Sequence, residues 1–297
     1  VYTPFGGGVT YPDTGWIGQY IVKSMSLKTL CFQPTVSYKL NKMLGVGVGF
    51  VYSIGSLQKK MDIAPLNDSV GTSSEIKTKL SGYGFNAGVY FNPTEALSIG
   101  LTYRSQLNMK SKDGVLKTSG IPTLLADSIP ASNKFTMTIP MPKVITLGAE
   151  YKVNDQLTLA ADVCFVAFKV FDSLRVKFDQ SPGPGLPNPK TEPRKFKNVY
   201  TFQLGGQYKI IDALAIRLGV RYAMSPIPKG FVSPEGADAN HFIYCGGLGY
   251  QITDNFAVDA SYSFESVKRA DNNLYYHFSG TYKTYASIAG LSLSYNF

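Results

Sequence analysis

Long hydrophobic runs are absent from this sequence of 297 residues. No stretch of about 18 or more apolar residues occurs, and this excludes a transmembrane helix. Histidine is also scarce, with only His241 and His277, and no Gly-x-Ser-x-Gly segment accompanies them. Because no Ser/His/acid grouping stands out, a hydrolase is disfavoured and we expect the protein not to be an enzyme.

Cysteine is nearly as rare as histidine. Cys31, Cys164 and Cys245 lie far apart, and no CxxC or Cys/His spacing suggests zinc. We interpret them as small residues of a sheet, and we expect neither a metal nor a cofactor.

A secretory leader is also missing, because the chain begins Val-Tyr-Thr-Pro without a charged and then apolar segment. We therefore expect the chain to lack its true N-terminus. The net charge is +9, yet the lysines are scattered and form no dense basic stretch. Nucleic acid is not an expected partner, and two interpretations stay open: a solvated surface, or attraction of anionic lipids or ligands.

What the sequence does contain is a repeated short turn. Five times an aromatic residue is followed six positions later by Leu or Phe, in segments 38–44, 91–97, 151–157, 208–214 and 250–256. Longer connections rich in polar residues, Gly and Pro alternate with these turns, at 58–76, 111–135, 172–195, 226–240 and 268–279. Short turns at one end and long loops at the other are typical of an outer-membrane β-barrel.

The segments between turns alternate apolar and polar residues over about 10–14 positions, the length that a tilted membrane-spanning strand requires. In 44–54, for example, Leu44, Val46 and Val48 share one face, while glycines occupy the other. In the clearest segments charged residues fall on the non-lipid face, where they avoid a cost of about 2–4 kcal/mol at mid-membrane. The sequence thus predicts an all-β fold, an antiparallel transmembrane β-barrel.

Counting these segments predicts eleven strands, at 25–39, 43–57, 77–91, 96–110, 136–152, 156–171, 196–210, 213–225, 241–252, 255–267 and 280–297. Bacterial single-chain barrels have an even number of strands. The odd count again predicts a truncated N-terminus, with residues 1–24 holding the end of a preceding strand and its external connection.

Several motifs, in order along nearly the whole chain, resemble the FadL/TodX family of outer-membrane transporters for long-chain fatty acids and other hydrophobic compounds. They are Thr3-Pro-Phe-Gly6, Trp16-Ile-Gly-Gln-Tyr20, Gly100-Leu-Thr-Tyr-Arg-Ser105, the segments 171–178 and 217–228, and the closing segments 280–282 and 293–297.

The resemblance implies a fourteen-stranded barrel plugged by an N-terminal hatch. Residues 1–297 would form a single outer-membrane barrel domain lacking the signal peptide, the hatch and the first strands. Family members capture a hydrophobic ligand at external loops, pass it to an internal pocket and release it sideways. The implied function is passive uptake of hydrophobic molecules such as long-chain fatty acids.

Candidate ligand-binding residues fall into two groups. Arg104, Arg217 and Arg221 match the geometry of a ligand carboxylate, and Arg104 lies inside a family-like motif. Alternatively, these arginines form a structural network inside the barrel with Glu150, Asp162, Asp259 and Glu265. The apolar loop segment 121–129 is either a landing site for the ligand or a loop tucked against the barrel mouth; its candidates are Ile121, Leu124 and Leu125.

Two other functions stay open at this stage, a general diffusion porin and a structural or adhesive barrel acting through the Pro-rich loop at 180–193. The expected partners are a hydrophobic small molecule, membrane lipid and lipopolysaccharide. The barrel-assembly machinery is a further one, through the terminal Phe297.

Overall fold

The structure is a computed structural model that describes residues 1–3, 5–13, 15–63, 72–123 and 126–296. These residues form seventeen strands: β1 (Gly6–Thr10), β2 (Ser24–Phe32), β3 (Thr35–Lys39), β4 (Leu44–Ile63), β5 (Thr72–Phe91), β6 (Leu97–Arg104), β7 (Leu107–Ser119), β8 (Ser132–Met141), β9 (Val144–Lys152), β10 (Leu157–Val166), β11 (Ser173–Phe178), β12 (Lys190–Pro193), β13 (Val199–Ile211), β14 (Leu214–Ala223), β15 (His241–Thr253), β16 (Phe256–Asn273) and β17 (Phe278–Tyr295). No helix within the described part of the chain is long and apolar enough to cross a bilayer.

The strands pair antiparallel in an up-and-down order. β2 and β3 both pair with β4, and β6 and β7 both pair with β5. On their other side, β6 pairs with β9 and β7 pairs with β8. β10 pairs with β9 on one side and β13 on the other, and β11 pairs with β8 and β12. From β13 to β17, each strand pairs with the next one in the chain. When each interrupted strand is counted once, and the short strands β1 and β12 are set aside, the described residues give the eleven barrel strands that the sequence predicts.

Three predicted strands, 25–39, 96–110 and 136–152, are interrupted near the same level of the barrel, and the predicted strand 156–171 ends there at Val166, before the chain continues as β11. Proline explains two of the breaks, after Phe32 and after Met141, because Pro34 and Pro142 cannot donate to the ladder. A third break follows Arg104, where the Ser105 hydroxyl accepts the Phe85 N–H at 2.9 Å in place of a backbone carbonyl.

The predicted strand boundaries at 57 and 77 are wrong, since β4 and β5 continue on the loop side for most of the predicted connection 58–76. The predicted connection 172–195 likewise contains β11 and β12. Pro193 is the last residue of β12, and within the described residues β12 pairs only with β11. Because β12 is not a central strand, the missing N–H of Pro193 removes no hydrogen bond from the centre of the sheet.

Asn and Thr side chains close several of the tight turns. The Asn41 Oδ1 accepts the backbone N–H of Met43 and Leu44 at 2.8 and 2.9 Å. Asn154 repeats this contact with Gln156 and Leu157 at 2.9 and 2.8 Å. Such turns need no long loop to reverse the chain, which is why five of the connections are so short.

The register places the charged residues of the membrane-spanning strands inside the barrel. Asp162 lies opposite Gln203 and Gln203 lies opposite Arg221, and all three residues share the inner face. On the outer face Leu218 is 69% and Val163 is 41% exposed. The predicted segregation of charge from the lipid-facing surface is therefore confirmed.

The apolar face changes sides along the barrel. On the turn side, apolar side chains of β4 such as Phe50 point outward; beyond Gly55, Leu57 and Met61 point inward. The loop-side interior is consequently an apolar core of thirteen buried residues: Cys31, Val51, Leu57, Leu80, Leu107, Met109, Leu116, Phe135, Met137, Ile139, Met141, Val176 and Phe178.

Candidate functional site

A pocket of about 550 Å³ lies inside the loop-side half of the barrel. We call it the inner pocket. Its wall is mainly apolar and comes from β2, β4, β5, β7, β8, β11 and the connections above them: Phe5, Met25, Leu27, Leu57, Met61, Ile76, Leu116, Met137, Ile139, Met141, Phe168, Phe171, Leu174, Val176, Phe178, Phe196, Ile227 and Phe231. This size and lining are those of a site for a small apolar ligand.

Strand alternation explains why the pocket is apolar. In β8 every second residue from Asn133 to Met141 is buried, and Met137, Ile139 and Met141 point inward. Methionine supplies an unbranched, adaptable side chain that fits irregular ligand shapes. The same alternation in β4 places Lys59 between Leu57 and Met61 on the inner face, and so carries a cation into the pocket wall.

Charged side chains occupy one part of that wall. Glu235, in the loop between β14 and β15, has a side chain only 5% exposed. It forms ion pairs with Lys59 of β4 and with Arg194, which follows β12. The Arg194 Nη2 also contacts Glu192 Oε2 at 3.0 Å. We call these residues, together with Lys190, the charge cluster.

The remaining contacts of the cluster involve Glu192. The Lys190 Nζ lies 3.0 Å from Glu192 Oε1, and the Tyr276 hydroxyl donates to Glu192 Oε2 at 3.0 Å. Asp62, a further carboxylate of the pocket wall, is paired with Lys23 at 3.4 Å. Each of these carboxylates therefore has a cationic partner.

The cations of the cluster keep its carboxylates ionised. Burial alone would raise the pKa of Glu235, but Lys59 and Arg194 outweigh it and lower that pKa to about 2. The pKa of Glu192 is lowered for the same reason, since the surrounding cations outweigh burial. Burial raises the pKa of the Tyr276 hydroxyl, and the two carboxylates add to that effect.

The cluster carries one excess positive charge. Lys59, Lys190 and Arg194 are three formal cations, whereas Glu192 and Glu235 are two anions. The Arg194 Nε–H is also buried, and no described residue accepts a hydrogen bond from it. A buried guanidinium with an unused donor and an unbalanced charge can accept one anionic group from a ligand.

Arg104 lies inside the barrel at the end of β6, and does not line the inner pocket. Its guanidinium stacks over the Tyr2 ring at 5.0 Å from the centroid, and its buried Nε–H has no acceptor among the described residues. Whether it contacts a ligand stays a prediction.

The other predicted arginines lie nearer the turn side. Arg217 bonds Asp259 and donates from Nε to Gln207 at 2.7 Å, the network that the structural alternative describes. It lines a polar cavity of about 880 Å³, and Arg221 lines a neighbouring one of about 480 Å³. Ile121 lies in the connection after β7, while Leu124, Leu125 and Phe297 fall outside the described residues. Among the described candidates, the three arginines do not share a cavity.

Sequence reasoning missed the charge cluster. Lys59 carried a signal, because it falls in phase with Leu57 and Met61, where a lysine is unexpected unless it has a buried partner. Glu235 and Arg194 carried no such signal, because both lie in connections between strands, where the alternation of apolar and polar residues does not predict packing. Within the described part of the chain, no three His, Cys, Asp or Glu side chains group in a way that could hold a metal ion.

Known sequences resemble the chain along most of its length. It is 25% identical over 245 residues to a putative outer membrane protein of Neisseria meningitidis serogroup B, covering 75% of this chain and 53% of that protein. It is 24% identical over 290 residues to the long-chain fatty acid transport protein of Escherichia coli O6:H1, covering 88% and 64%. The chain thus spans only part of the length of these relatives.

Solved structures share the fold. A Pseudomonas aeruginosa FadL homologue superposes with a TM-score of 0.84 at 20% identity, covering 99% of this chain and 73% of that one. The Ralstonia pickettii toluene transporter TbuX gives a TM-score of 0.73 at 17% identity, covering 99% and 76%. These superpositions agree with the predicted transmembrane β-barrel.

The family described as "Outer membrane protein transport protein (OMPP1/FadL/TodX)" matches residues 1–297. Its members are transport proteins and not enzymes, as expected from the absence of a catalytic grouping. The motifs, the strand order and the apolar pocket inside the barrel all agree with this match, and the chain belongs to the FadL/TodX family of outer-membrane transport proteins.

Proposed function

We propose that the protein mediates passive uptake of hydrophobic molecules across the outer membrane, and that its cargo is a long-chain fatty acid or a similar apolar monocarboxylate. One observation carries the proposal: the inner pocket is apolar, yet a buried cluster with one excess positive charge lies in its wall. A relative of this chain from Escherichia coli is named long-chain fatty acid transport protein.

The pocket offers both halves of such a ligand a suitable environment. Each methylene transferred from water to the apolar wall contributes about 0.8 kcal/mol. The carboxylate would neutralise the excess charge and accept the unused Arg194 Nε–H. The cargo would move down its concentration gradient, because reversible binding to the pocket requires no other source of energy.

Binding of oleate and of oleyl alcohol to the intact protein tests the carboxylate assignment, since the two differ only in the charged end. We expect oleate to bind at least about tenfold more tightly, because a charge-assisted hydrogen bond is worth about 1.5–3 kcal/mol. Lys190→Gln neutralises the cluster and should remove most of this preference. Lys190 suits the test because Glu192 is its one ion-pair partner within the described residues and its side chain is 33% exposed.

Lys42→Gln is the matched control, because Lys42 is exposed in a turn at the opposite end of the barrel. Arg104→Ala tests the alternative position for the carboxylate. Equal affinity of the wild type for oleate and oleyl alcohol would contradict the cargo assignment. Loss of oleate preference in Arg104→Ala but not in Lys190→Gln would move the carboxylate to Arg104.

A general diffusion porin is the second candidate, favoured by the polar cavity of about 880 Å³ beside Arg217 and Glu150. Against it, the loop-side interior is filled by buried side chains such as Leu80, Leu107 and Met109. Single-channel recording distinguishes the two functions. We expect small currents in potassium chloride, whereas large steady currents would favour the porin.

A further inference from the structure

The outward surface of the barrel becomes basic on the loop side of Gly55. Outward side chains of β4 are apolar up to Ile54 and polar beyond it, where Ser56, Gln58 and Lys60 follow. On β5, β7, β8 and β11 the outward residues at this level include many lysines. We define the lysine face by six exposed residues of these strands: Lys77, Lys79, Lys112, Lys117, Lys134 and Lys177.

Strand pairing concentrates these charges. Lys79 lies directly opposite Lys112, an arrangement that destabilises a sheet unless an anion compensates for it. A bulge near Asp113, whose φ is +52°, shifts the register of β7 at this point. The outer surface there forms a concavity of about 460 Å³, lined by four of the lysines together with Glu75 and Asp113.

Protein carboxylates leave most of this charge unbalanced. Glu75 pairs with Lys77 at 2.8 Å and with Lys60 at 3.7 Å. Within the described residues no other ion pair reaches the lysine face, so five of its six lysines carry uncompensated charge. The face is therefore prepared to attract anions from outside the protein.

The lysine face also lies at a defined level relative to the membrane. The outward apolar residues of β4 run from Val46 to Ile54, about 27 Å along the strand and about 20 Å along the membrane normal after the usual tilt. Lys79 pairs with Ser56, two residues beyond Ile54 and so about 7 Å further along the strand. Because long loops face the cell exterior, this level is that of the outer-leaflet headgroups.

We propose that the lysine face binds the phosphate groups of a phosphorylated glycolipid in the outer leaflet, the lipid A of lipopolysaccharide. Lipid A carries phosphates at the headgroup level and acyl chains below it. The protein presents lysines at that level, above apolar side chains such as Phe85 and Tyr83 on the same strand. Charge and apolar surface thus match the two parts of one lipid, and clusters of four to eight basic residues beside a bilayer are typical of anionic-lipid binding.

The test compares bis-phosphorylated lipid A with dephosphorylated lipid A, each titrated in mixed micelles against the intact purified protein at low salt. We expect the wild type to bind the phosphorylated form at least about tenfold more tightly. The triple variant Lys79→Gln, Lys112→Gln and Lys134→Gln should bind the two forms within about twofold of each other. Raising the salt concentration should weaken the wild-type preference.

The triple variant Lys42→Gln, Lys152→Gln and Lys209→Gln is the matched control, because it loses the same charge at the turn side of the barrel. It should keep the wild-type preference. The proposal fails if the wild type does not distinguish the two lipids, if the face variant keeps the preference, or if the control variant loses it. Competition by inorganic pyrophosphate as strong as that by lipid A would show a site for free anions and would also overturn the assignment.

Discussion

At the scale of single residues, Glu235 connects elements that are distant in sequence. It is bound by Lys59, 176 positions away, and by Arg194, 41 positions away. Two buried cations share this one carboxylate, so its removal would leave both without their main anion. Breaking such a buried pair costs about 3–5 kcal/mol, much more than a surface ion pair contributes.

The pKa of Glu235 predicts how the loop responds to acid. Its value in the folded protein, about 2, lies below its ordinary value of 4.5, so the carboxylate stabilises the fold fully above pH 4.5. That stabilisation should be lost progressively as the pH falls from about 4.5 towards 2. Trp16, the only tryptophan, reports on this region, because it stacks on Tyr11, whose hydroxyl bonds the Pro234 carbonyl.

We therefore expect Trp16 fluorescence to change in that pH window in the wild type, and the change to shrink in Glu235→Gln. Part of it should persist, since the lowered pKa of Glu192 adds acid dependence of the same sign. Glu95→Gln, in an exposed turn, is the control. An acid response that is identical in Glu235→Gln and the wild type would contradict this account.

At the scale of the element, β4 shows how one strand serves two environments. Its outward face meets lipid below Gly55 and the polar exterior above it, while its inward face changes from glycine-rich to apolar. Gly55 lies where β2 approaches closely: a Cβ at this position would lie 2.5 Å from the Lys28 carbonyl oxygen. The close approach, and not a turn, requires glycine here.

Gly55→Ala should consequently destabilise the barrel by about 1–3 kcal/mol, the usual cost of overpacking. Gly100→Ala is the matched control, since no atom of the described residues lies within 4 Å of the position that its Cβ would occupy, and its effect should stay within about 0.5 kcal/mol. Urea unfolding in detergent, followed by the heat-dependent shift in gel mobility, measures both. Equal stability of the two variants would show that β2 can move away from β4 at no cost.

The element scale also shows how far the sequence could be interpreted. The alternation of apolar and polar residues and the turns at Asn41 and Asn154 depend only on residues close together in the sequence. These signals predicted every barrel strand on the turn side. The same alternation failed beyond 57 because polar residues face outward there, which made a strand resemble a loop. Two breaks in the ladder have a local signal, Pro34 and Pro142, whereas the break where Ser105 replaces a backbone acceptor depends on a neighbouring strand and has none.

At the scale of the whole molecule, the barrel separates lipid from its interior. Leu147 and Thr146 are neighbours on β9 that face opposite ways: Leu147 lies opposite Leu101 and is exposed, whereas Thr146 lies opposite Thr102 on the inner face. Both lie roughly midway along the membrane-spanning part of the strand. They form a matched pair for testing which face meets the bilayer.

Leu147→Lys should lower the free energy of unfolding in lipid vesicles by about 2–4 kcal/mol, the cost of a lysine at the bilayer midplane. Thr146→Lys adds the same charge to the interior and should cost much less. Denaturant titration of both variants measures the difference. The opposite order would mean that the apolar face does not meet lipid.

The sequence by itself determined the membrane-spanning part of the barrel, its orientation and its family, because alternation, turn chemistry and motif order are carried by residues close together in the chain. Only the tertiary structure decided the inner pocket, the charge cluster and the lysine face. Lys59, Arg194 and Glu235 come from three separate segments, and Lys79 and Lys112 become neighbours through strand register. Electrostatic and packing energies depend on distance in space, and spatial distance is set only when the barrel has formed.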